Sequence, residues 1–261
     1  MNSLSVIIIT KNEQHHISEC IKSILDIATE IIVLDSGSSD DTVSIAKALG
    51  AKVSTNTNWE GFGHQKNLAL EQAKCDWILS IDADERVTPE LSEEIKEILK
   101  HADSHSWYEI IRKSWYCGKI IKYSGWQNDR VLRLFKRGCA KFTNSKVHER
   151  VEPIYPPASP RSKVFTLRNS LTHYSYSDFK QVIHKVNLYS TLWAEQKYEE
   201  GRNSTPINAV FHGVIAFVKT YLIKLGFLDG ALGFALAFSN AEAAYYKYLK
   251  LWLLNKTLSR K

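Results

Sequence analysis

The sequence predicts an α/β fold: a mostly parallel, doubly wound sheet, then a smaller mixed region rich in strands, then C-terminal helices. Three observations predict it. Short apolar runs alternate with helical patterns through the first hundred residues, as strand–helix units building a parallel sheet do. The runs Ser5-Val6-Ile7-Ile8-Ile9, Ile31-Ile32-Val33-Leu34 and Trp77-Ile78-Leu79-Ser80-Ile81 are apolar at consecutive positions, which suits strands covered on both faces. All three stop at polar clusters, at Asn12-Glu13, Asp35 and Asp82-Asp84, and the C-terminal ends of such strands are where open α/β sheets bind ligands.

The elements follow in order. Leu4 to Ile9 is the first strand, and Ile17, Ile21, Ile24 and Leu25 then mark one face of a helix. After the second strand, Asp35-Ser36-Gly37-Ser38-Ser39-Asp40-Asp41-Thr42 supplies N-cap residues for a helix from Val43 to Leu49, closed by Gly50. Lys52-Val53-Ser54-Thr55 reads as a short third strand and Gln65 to Lys74 as a helix. Glu85 reads as a helix-start residue favoured by the dipole of a helix near Thr88-Pro89. From Ser106 to Phe142 aromatics crowd a segment of strands and turns, and Val131-Leu132-Arg133-Leu134-Phe135 alternates as a half-buried strand does. A Pro-rich connector, 153–160, leads to a strand over 164–171 and a helix over 178–200. Two apolar helical stretches follow Pro206. The division expected is 1–105, 106–175 and 176–261.

Charge is uneven. Residues 1–100 hold 9 Lys/Arg against 17 Asp/Glu, and residues 101–261 hold 25 against 11. A basic second half suits an acidic substrate, a membrane surface or nucleic acid. Cys20, Cys75, Cys117 and Cys139 form no Cys-x-x-Cys pair and read as reduced thiols. No signal peptide is expected, and no apolar run is expected to reach the length of a membrane span. Dinucleotide and P-loop glycine fingerprints are absent from the sequence.

Asp82-Ala83-Asp84 is the chemical centre of this reading. In an extended segment the two carboxylates would point the same way, and they repel unless a positive group lies between them. A divalent cation does that, Mg2+ being commonly held by one or two carboxylates plus substrate phosphates. A solvated acidic turn is the plainer alternative.

Ser5-Val6-Ile7-Ile8-Ile9-Thr10-Lys11-Asn12-Glu13, Val33-Leu34-Asp35 through Thr42, Lys66-Asn67 and Ile81-Asp82-Ala83-Asp84 stand in the order and spacing of family 2 glycosyltransferases. The resemblance covers roughly residues 4–140. Tyr123 through Phe135, with Val147-His148-Glu149, resembles a narrower branch, the inner-core β-glucosyltransferases of lipopolysaccharide or lipooligosaccharide. The resemblance implies the GT-A fold, with residues 1–105 as the nucleotide-sugar-binding half, 106–175 as the acceptor side carrying the catalytic base, and 176–261 as a helical region with membrane-surface contact. It implies an inverting transfer of glucose from UDP-glucose to a heptose hydroxyl, with Mg2+ or Mn2+, at the cytoplasmic face of the inner membrane. The partners implied are the UDP-sugar, a lipid-linked anionic saccharide and the membrane surface, with no nucleic acid.

Residue by residue, the resemblance implies Asp84 as metal ligand, Asp82 on ribose or metal, and Asp35 on the uracil ring. It implies Thr10, Asn12 and Glu13 along the nucleoside pocket and Lys66 on the uracil carbonyl or diphosphate. Asp129 is the candidate base, although Asn128 stands where relatives have a second acid, and its alternative role is an ion pair with Arg130 or Arg133. Glu149 is the rival base, and His148 a further candidate metal ligand. Trp126 is a candidate for sugar stacking, with core packing as the alternative. Asp40 and Asp41 read as caps. The basic C-terminal stretch, with Phe211, Val214, Val218, Tyr221, Leu222 and Leu225 at helical spacing, fits an anionic membrane surface, a packed helix pair or a dimer contact. Two other classes compete: a nucleotidyltransferase, which would carry a Gly-rich basic loop near the N-terminus, and a nucleic-acid binder using the aromatic and basic residues at 107–137.

Overall fold

The structure is a computed structural model that describes residues 2–101, 107–144, 149–154 and 164–258. It divides into two compact units. Unit 1 is Met1–Arg112 with Asp129–His173, and unit 2 is Lys113–Asn128 with Tyr174–Lys261.

Unit 1 is built on a mixed sheet. β1 (Leu4–Thr10), β2 (Glu30–Asp35), β3 (Lys52–Thr55) and β4 (Trp77–Asp82) are parallel, and β5 (Glu85–Val87), β6 (Trp107–Tyr116), β8 (Arg130–Lys136) and β11 (Val164–Tyr176) complete it in the order β3-β2-β1-β4-β8-β6-β11-β5. The consecutive apolar residues of β1 serve two cores at once. Leu4, Val6 and Ile8 pack on one face with Leu79, Ile81 and the buried residues of α1 (Ile17–Lys22), α2 (Thr42–Ala48) and α4 (Pro89–His101). Ile7 packs on the other with Ile32, Leu34, Ile78, Phe135 and Ala69 of α3 (Phe62–Glu71). Period-two side-chain alternation across a sheet covered on both faces requires that pattern. β9 (Ala140–Phe142) and β10 (Val151–Pro153) form a small antiparallel pair beside it.

Register sets where the functional residues fall. Thr10 lies opposite Asp35 across β1–β2, and Ile9 lies opposite Asp82 across β1–β4. The acidic tips of β2 and β4 are therefore two strand spacings apart, about 10 Å.

Several sequence expectations need correction. Leu25 is 51% exposed, because α1 ends at Lys22 before its face reaches that residue. Glu85 does not start a helix; it opens β5 and is fully buried. β8 does not alternate. Tyr108 pairs with Leu134 and Glu109 with Leu132, so Arg133 is the extra residue of a bulge, and Arg133, Leu134 and Phe135 are all buried. Bulges re-aim a side chain in this way beside functional sites.

Unit 2 holds β7 (Lys119–Ile120), paired with the end of β6, and α5 (Phe179–Glu199), α6 (Pro206–Val218) and α7 (Ala231–Leu258). A π-helical turn, Lys219–Ile223, prolongs α6, and a 3-10 turn, Gly226–Asp229, precedes α7. Trp126 packs with Tyr116 and Tyr176 at ring distances of 6.0 and 6.3 Å, which is the core role. Pro206–Ile223 corrects another expectation: over 18 residues it is long and apolar enough to cross a membrane by length and composition, with 17% of it buried. The four cysteines are free thiols.

Gly63, near the start of α3, lies so close to the Thr143 carbonyl that a Cβ would collide with it. A collision with backbone is relieved only by moving backbone. Gly63→Ala is expected to lower stability by about 1–3 kcal/mol, as overpacking does; a urea unfolding midpoint equal to that of the parent would contradict this.

Candidate active site

The tips of β1 and β2 are stitched by side chains. Asp35, 2% exposed, accepts from Thr10 Oγ1 (3.2 Å) and Ser38 Oγ (2.5 Å) on Oδ1, and from the Gly37 and Ser38 N–H groups (both 2.9 Å) on Oδ2. These four bonds fill the acceptor capacity of a carboxylate. Asn12, in the left-handed region at φ 57°, accepts from the Ser39 N–H, and its own N–H donates to Ser38 Oγ. The Glu13 N–H donates to Thr42 Oγ1. Asp40 accepts from the Thr42 N–H and hydroxyl and from the Gln14 N–H, while the Asp41 side chain makes no cap bond. Thr10, Asn12, Glu13 and Asp35 are thus brought to one edge of the sheet by the register of β1 on β2.

At the tip of β4 begins a chain of alternating charges. Lys66, 4% exposed on α3, places Nζ 2.8 Å from Glu149 Oε1 and 2.9 Å from Asp82 Oδ1. Asp82 Oδ2 lies 2.5 Å from Arg133 Nη2, which is 2.6 Å from Glu85 Oε1. Glu85 Oε1 lies 3.3 Å from Arg112 Nη1, and Arg112 Nη2 lies 2.8 Å from Asp129 Oδ2. Glu85 Oε2 also accepts the Asp82 N–H at 3.0 Å. The run Glu149–Lys66–Asp82–Arg133–Glu85–Arg112–Asp129 links both candidate bases. Burial opposes ionisation of Asp82, but the adjacent Arg133 and Lys66 cations overcome it and hold its carboxyl well below 3.8. The same carboxylates hold Arg133 in its cationic form more firmly than usual, against its own desolvation. Arg133 Nε is buried with no hydrogen-bond partner among the described residues.

Asp84 has a different partner. The extended run breaks into a turn at Ala83-Asp84, so the two-residue alternation of an extended segment does not set how the two acids face. Asp84 Oδ2 lies 3.3 Å from His173 Nε2. His173 arrives because β11 runs antiparallel to β5, with His173 opposite Glu85. The Asp84 carboxylate is a donor that suits Mg2+ or Mn2+, the imidazole beside it is a second donor, and two protein donors leave room for the phosphate oxygens and waters that complete such a shell. Among the described residues no group of three His, Cys, Asp or Glu side chains gathers as a metal site.

The structure thus places the candidates named from sequence as follows. Lys66, Asp82, Glu149 and Asp129 belong to one ion network, and Thr10, Asn12, Glu13 and Asp35 to a neighbouring strand-tip cluster. His148 lies outside the described residues. The partner of Asp129 is Arg112 rather than Arg130 or Arg133; Arg112 also donates its N–H to the Asp129 carbonyl at 2.8 Å. Sequence reasoning missed Glu85, Arg112, Arg133 and His173. Glu85 had a signal, its adjacency to Asp84. Arg133 was disguised by the bulge, and His173 has no local motif at all.

The parallel strands of unit 1 bring acids to the tips of β2 and β4, the end at which open α/β sheets bind ligands. The sequence model of the family described as Glycosyl transferase family 2 matches residues 5–154, and this chain belongs to that family. An uncharacterised glycosyltransferase of Rickettsia typhi is 33% identical, over 96% of this chain and 87% of its own length. The Rhizobium meliloti protein LpsC, named a lipopolysaccharide core biosynthesis glycosyltransferase, is 31% identical over 94% of this chain and 93% of its own. Among solved structures, glucosyl-3-phosphoglycerate synthase of Mycobacterium tuberculosis, in complex with Mn2+, UDP-glucose and phosphoglyceric acid, is 29% identical over 45% of each chain, with a TM-score of 0.37.

The buried ion network makes two predictions. Arg133→Met leaves Asp82 with Lys66 alone and Glu85 with the longer Arg112 contact alone, and should cost about 3 kcal/mol of stability, read by urea unfolding; a loss below about 1 kcal/mol would contradict it. For Asp82 the folded pKa is depressed, so its contribution is fully present above the unfolded value near 3.8 and is lost as pH falls below it. Asp82→Asn should therefore flatten the acid limb of the stability profile below pH 4 and leave its slope between pH 5 and 7 as in the parent (roughly, on that linkage). An altered slope in the neutral range would assign the acid sensitivity elsewhere.

Proposed function

We propose that this chain is an inverting glycosyltransferase that moves glucose from UDP-glucose to a heptose hydroxyl of the lipopolysaccharide inner core, with Mg2+ or Mn2+. Its place is peripheral, on the cytoplasmic face of the inner membrane. Near-full-length similarity to a protein named for lipopolysaccharide core biosynthesis supports the acceptor class. The observation that carries the chemistry is the pairing of Asp84 with His173 at the end of β4, beside a cation-rich strand tip.

Asp84 and His173 would hold the metal, which neutralises the negative charge gathering on the departing diphosphate. Lys66 and Arg133 add fixed positive charge at the same tip, and their burial strengthens it. Lys66 reaches the uracil carbonyl or the diphosphate. Thr10, Asn12 and Glu13 line the nucleoside. Asp35 reads the uracil imide once a hydroxyl of Thr10 or Ser38 rotates away from Oδ1, since hydroxyl rotors turn at little cost. Asp82 contacts the ribose, its charge being matched by Lys66 and Arg133.

Asp129 takes the proton from the acceptor hydroxyl. Both Arg112 contacts fall on Oδ2, which leaves Oδ1 to face the hydroxyl. The acceptor oxygen, giving its proton to Asp129, bonds to the anomeric carbon on the side opposite the diphosphate; the bond to the diphosphate oxygen breaks and the configuration inverts. Glu149 is the rival: Lys66 engages its Oε1, and it lies on the donor side of the network.

Transfer from UDP-glucose to purified inner-core acceptor, followed by mass and by the anomeric coupling of the product, tests this. Asp84→Ala and Asp129→Asn should each lower turnover by roughly 10²–10⁴-fold, while Glu149→Gln keeps most of it. A dead Glu149→Gln beside an active Asp129→Asn would move the base to Glu149, and an axial product linkage would overturn inversion.

A further inference from the structure

Unit 2 carries an apolar surface that no described residue covers. α6 gives one face to α7. Gly213 lets the backbones approach, a Cβ there standing 3.3 Å from the Ala241 carbonyl, and the His212 ring stacks on Tyr248 at 3.8 Å. The other face and its π-helical prolongation present Ile207, Phe211, Val214 and Ile223, which are 79%, 61%, 57% and 69% exposed. The 3-10 turn adds Phe227 and Leu228, about half exposed. Contiguous apolar surface of this kind marks an interaction site.

Charge selects the occupant. From Thr205 to Leu228 the sequence has Lys219 and Lys224 and no Asp or Glu, and both cations are exposed; Arg202, just before, lies in the field of Glu200. The next acid, Asp229, is buried and bonded to the N–H groups of Lys122 and Tyr123 and to the Ser124 hydroxyl. An apolar stripe edged by exposed lysines, with no acid in the same stretch, is the composition of a helix lying in an anionic bilayer interface. A self-complementary dimer would instead bring like-charged patches together.

Neighbouring contacts select the depth. α7 carries Glu242, Lys247 and Lys250 along its length, and Lys250 Nζ bonds to Asn187, Ser190 and Thr191 of α5. α6 itself packs on Ala241, Tyr245 and Tyr248 of α7, and the far side of α7 is the polar, ion-bearing layer, which hydrocarbon would not accept.

We infer that α6, its π-helical prolongation and the turn before α7 form an in-plane docking face for an anionic lipid bilayer. This deepens the peripheral location proposed above and rests on that reading for the identity of the acceptor alone. Through Asp229, the docking turn also holds the backbone of residues 122–124, five residues before Asp129 in the chain.

Flotation of the full chain with vesicles tests this without sugar or nucleotide. Vesicles of phosphatidylethanolamine and phosphatidylglycerol should capture it, on the order of tenfold better than phosphatidylcholine vesicles and less well in high salt. Phe211→Asp with Ile223→Asp should reduce capture at least about tenfold, with the melting temperature unchanged because both side chains are exposed. Lys219→Glu with Lys224→Glu, which touches no apolar residue, should remove the preference for anionic lipid. Capture that neither variant alters would overturn the inference. So would a lipid-indifferent chain whose concentration-dependent dimer the Asp variants dissolve. A chain that floats yet binds no UDP-sugar would break the transferase reading and leave the docking face standing.

Discussion

The guanidinium of Arg133 is the point on which the buried ion network of unit 1 turns. It is 5% exposed and sits between the carboxylates of Asp82 and Glu85. Glu85 has no exposed surface at all, and buried carboxylates need cationic partners, which Arg133 at 2.6 Å and Arg112 at 3.3 Å supply. In return Glu85 accepts the Asp82 N–H and a hydrogen bond from Arg112, which in turn grips Asp129. One buried cation thus fixes the end of β4, the start of β5 and, through Arg112, the entry to β8. Such an arrangement is weak evidence for stability, because desolvating the ions offsets their attraction. Its value is geometric: it specifies where acids stand that would otherwise repel.

This division of labour explains why the two acids of Asp82-Ala83-Asp84 differ. Asp82 is charge-matched by Lys66 and Arg133 and is held in the ionised form. Asp84, one turn on, meets an imidazole instead. A carboxylate already flanked by two buried cations is a poor site for a third cation, whereas the group at 3.3 Å from Asp84 is an imidazole. The roles proposed for the pair follow from that contrast.

Much of this was legible in the sequence, for physical reasons. Residues such as Val6, Ile7 and Ile8 cannot all be apolar on a one-sided strand, and their burial into two cores gives the sheet its layers. The strand tips at Asp35 and Asp82 were legible because polar residues end those runs. What sequence could not show depends on pairing between distant segments. The bulge that turns Arg133 inward exists only in the register of β6 on β8, and His173 reaches Asp84 only because β11 runs antiparallel to β5. The burial of Glu85 depends on Arg133 and was invisible for the same reason. Helix α6 was underestimated because Lys219 interrupts its apolar run, while the helix continues through that lysine as a π-helical turn.

The central claim is that the strand tips of unit 1 form a site where a bound divalent ion and a nucleoside diphosphate depend on each other. Calorimetric titration of UDP into the full chain, with and without Mn2+, measures that dependence. The account predicts UDP affinity that rises by at least about tenfold with Mn2+, and Mn2+ affinity that rises by the same factor with UDP, as linkage requires. UDP affinity indifferent to the metal, or no UDP binding in either condition, would contradict it.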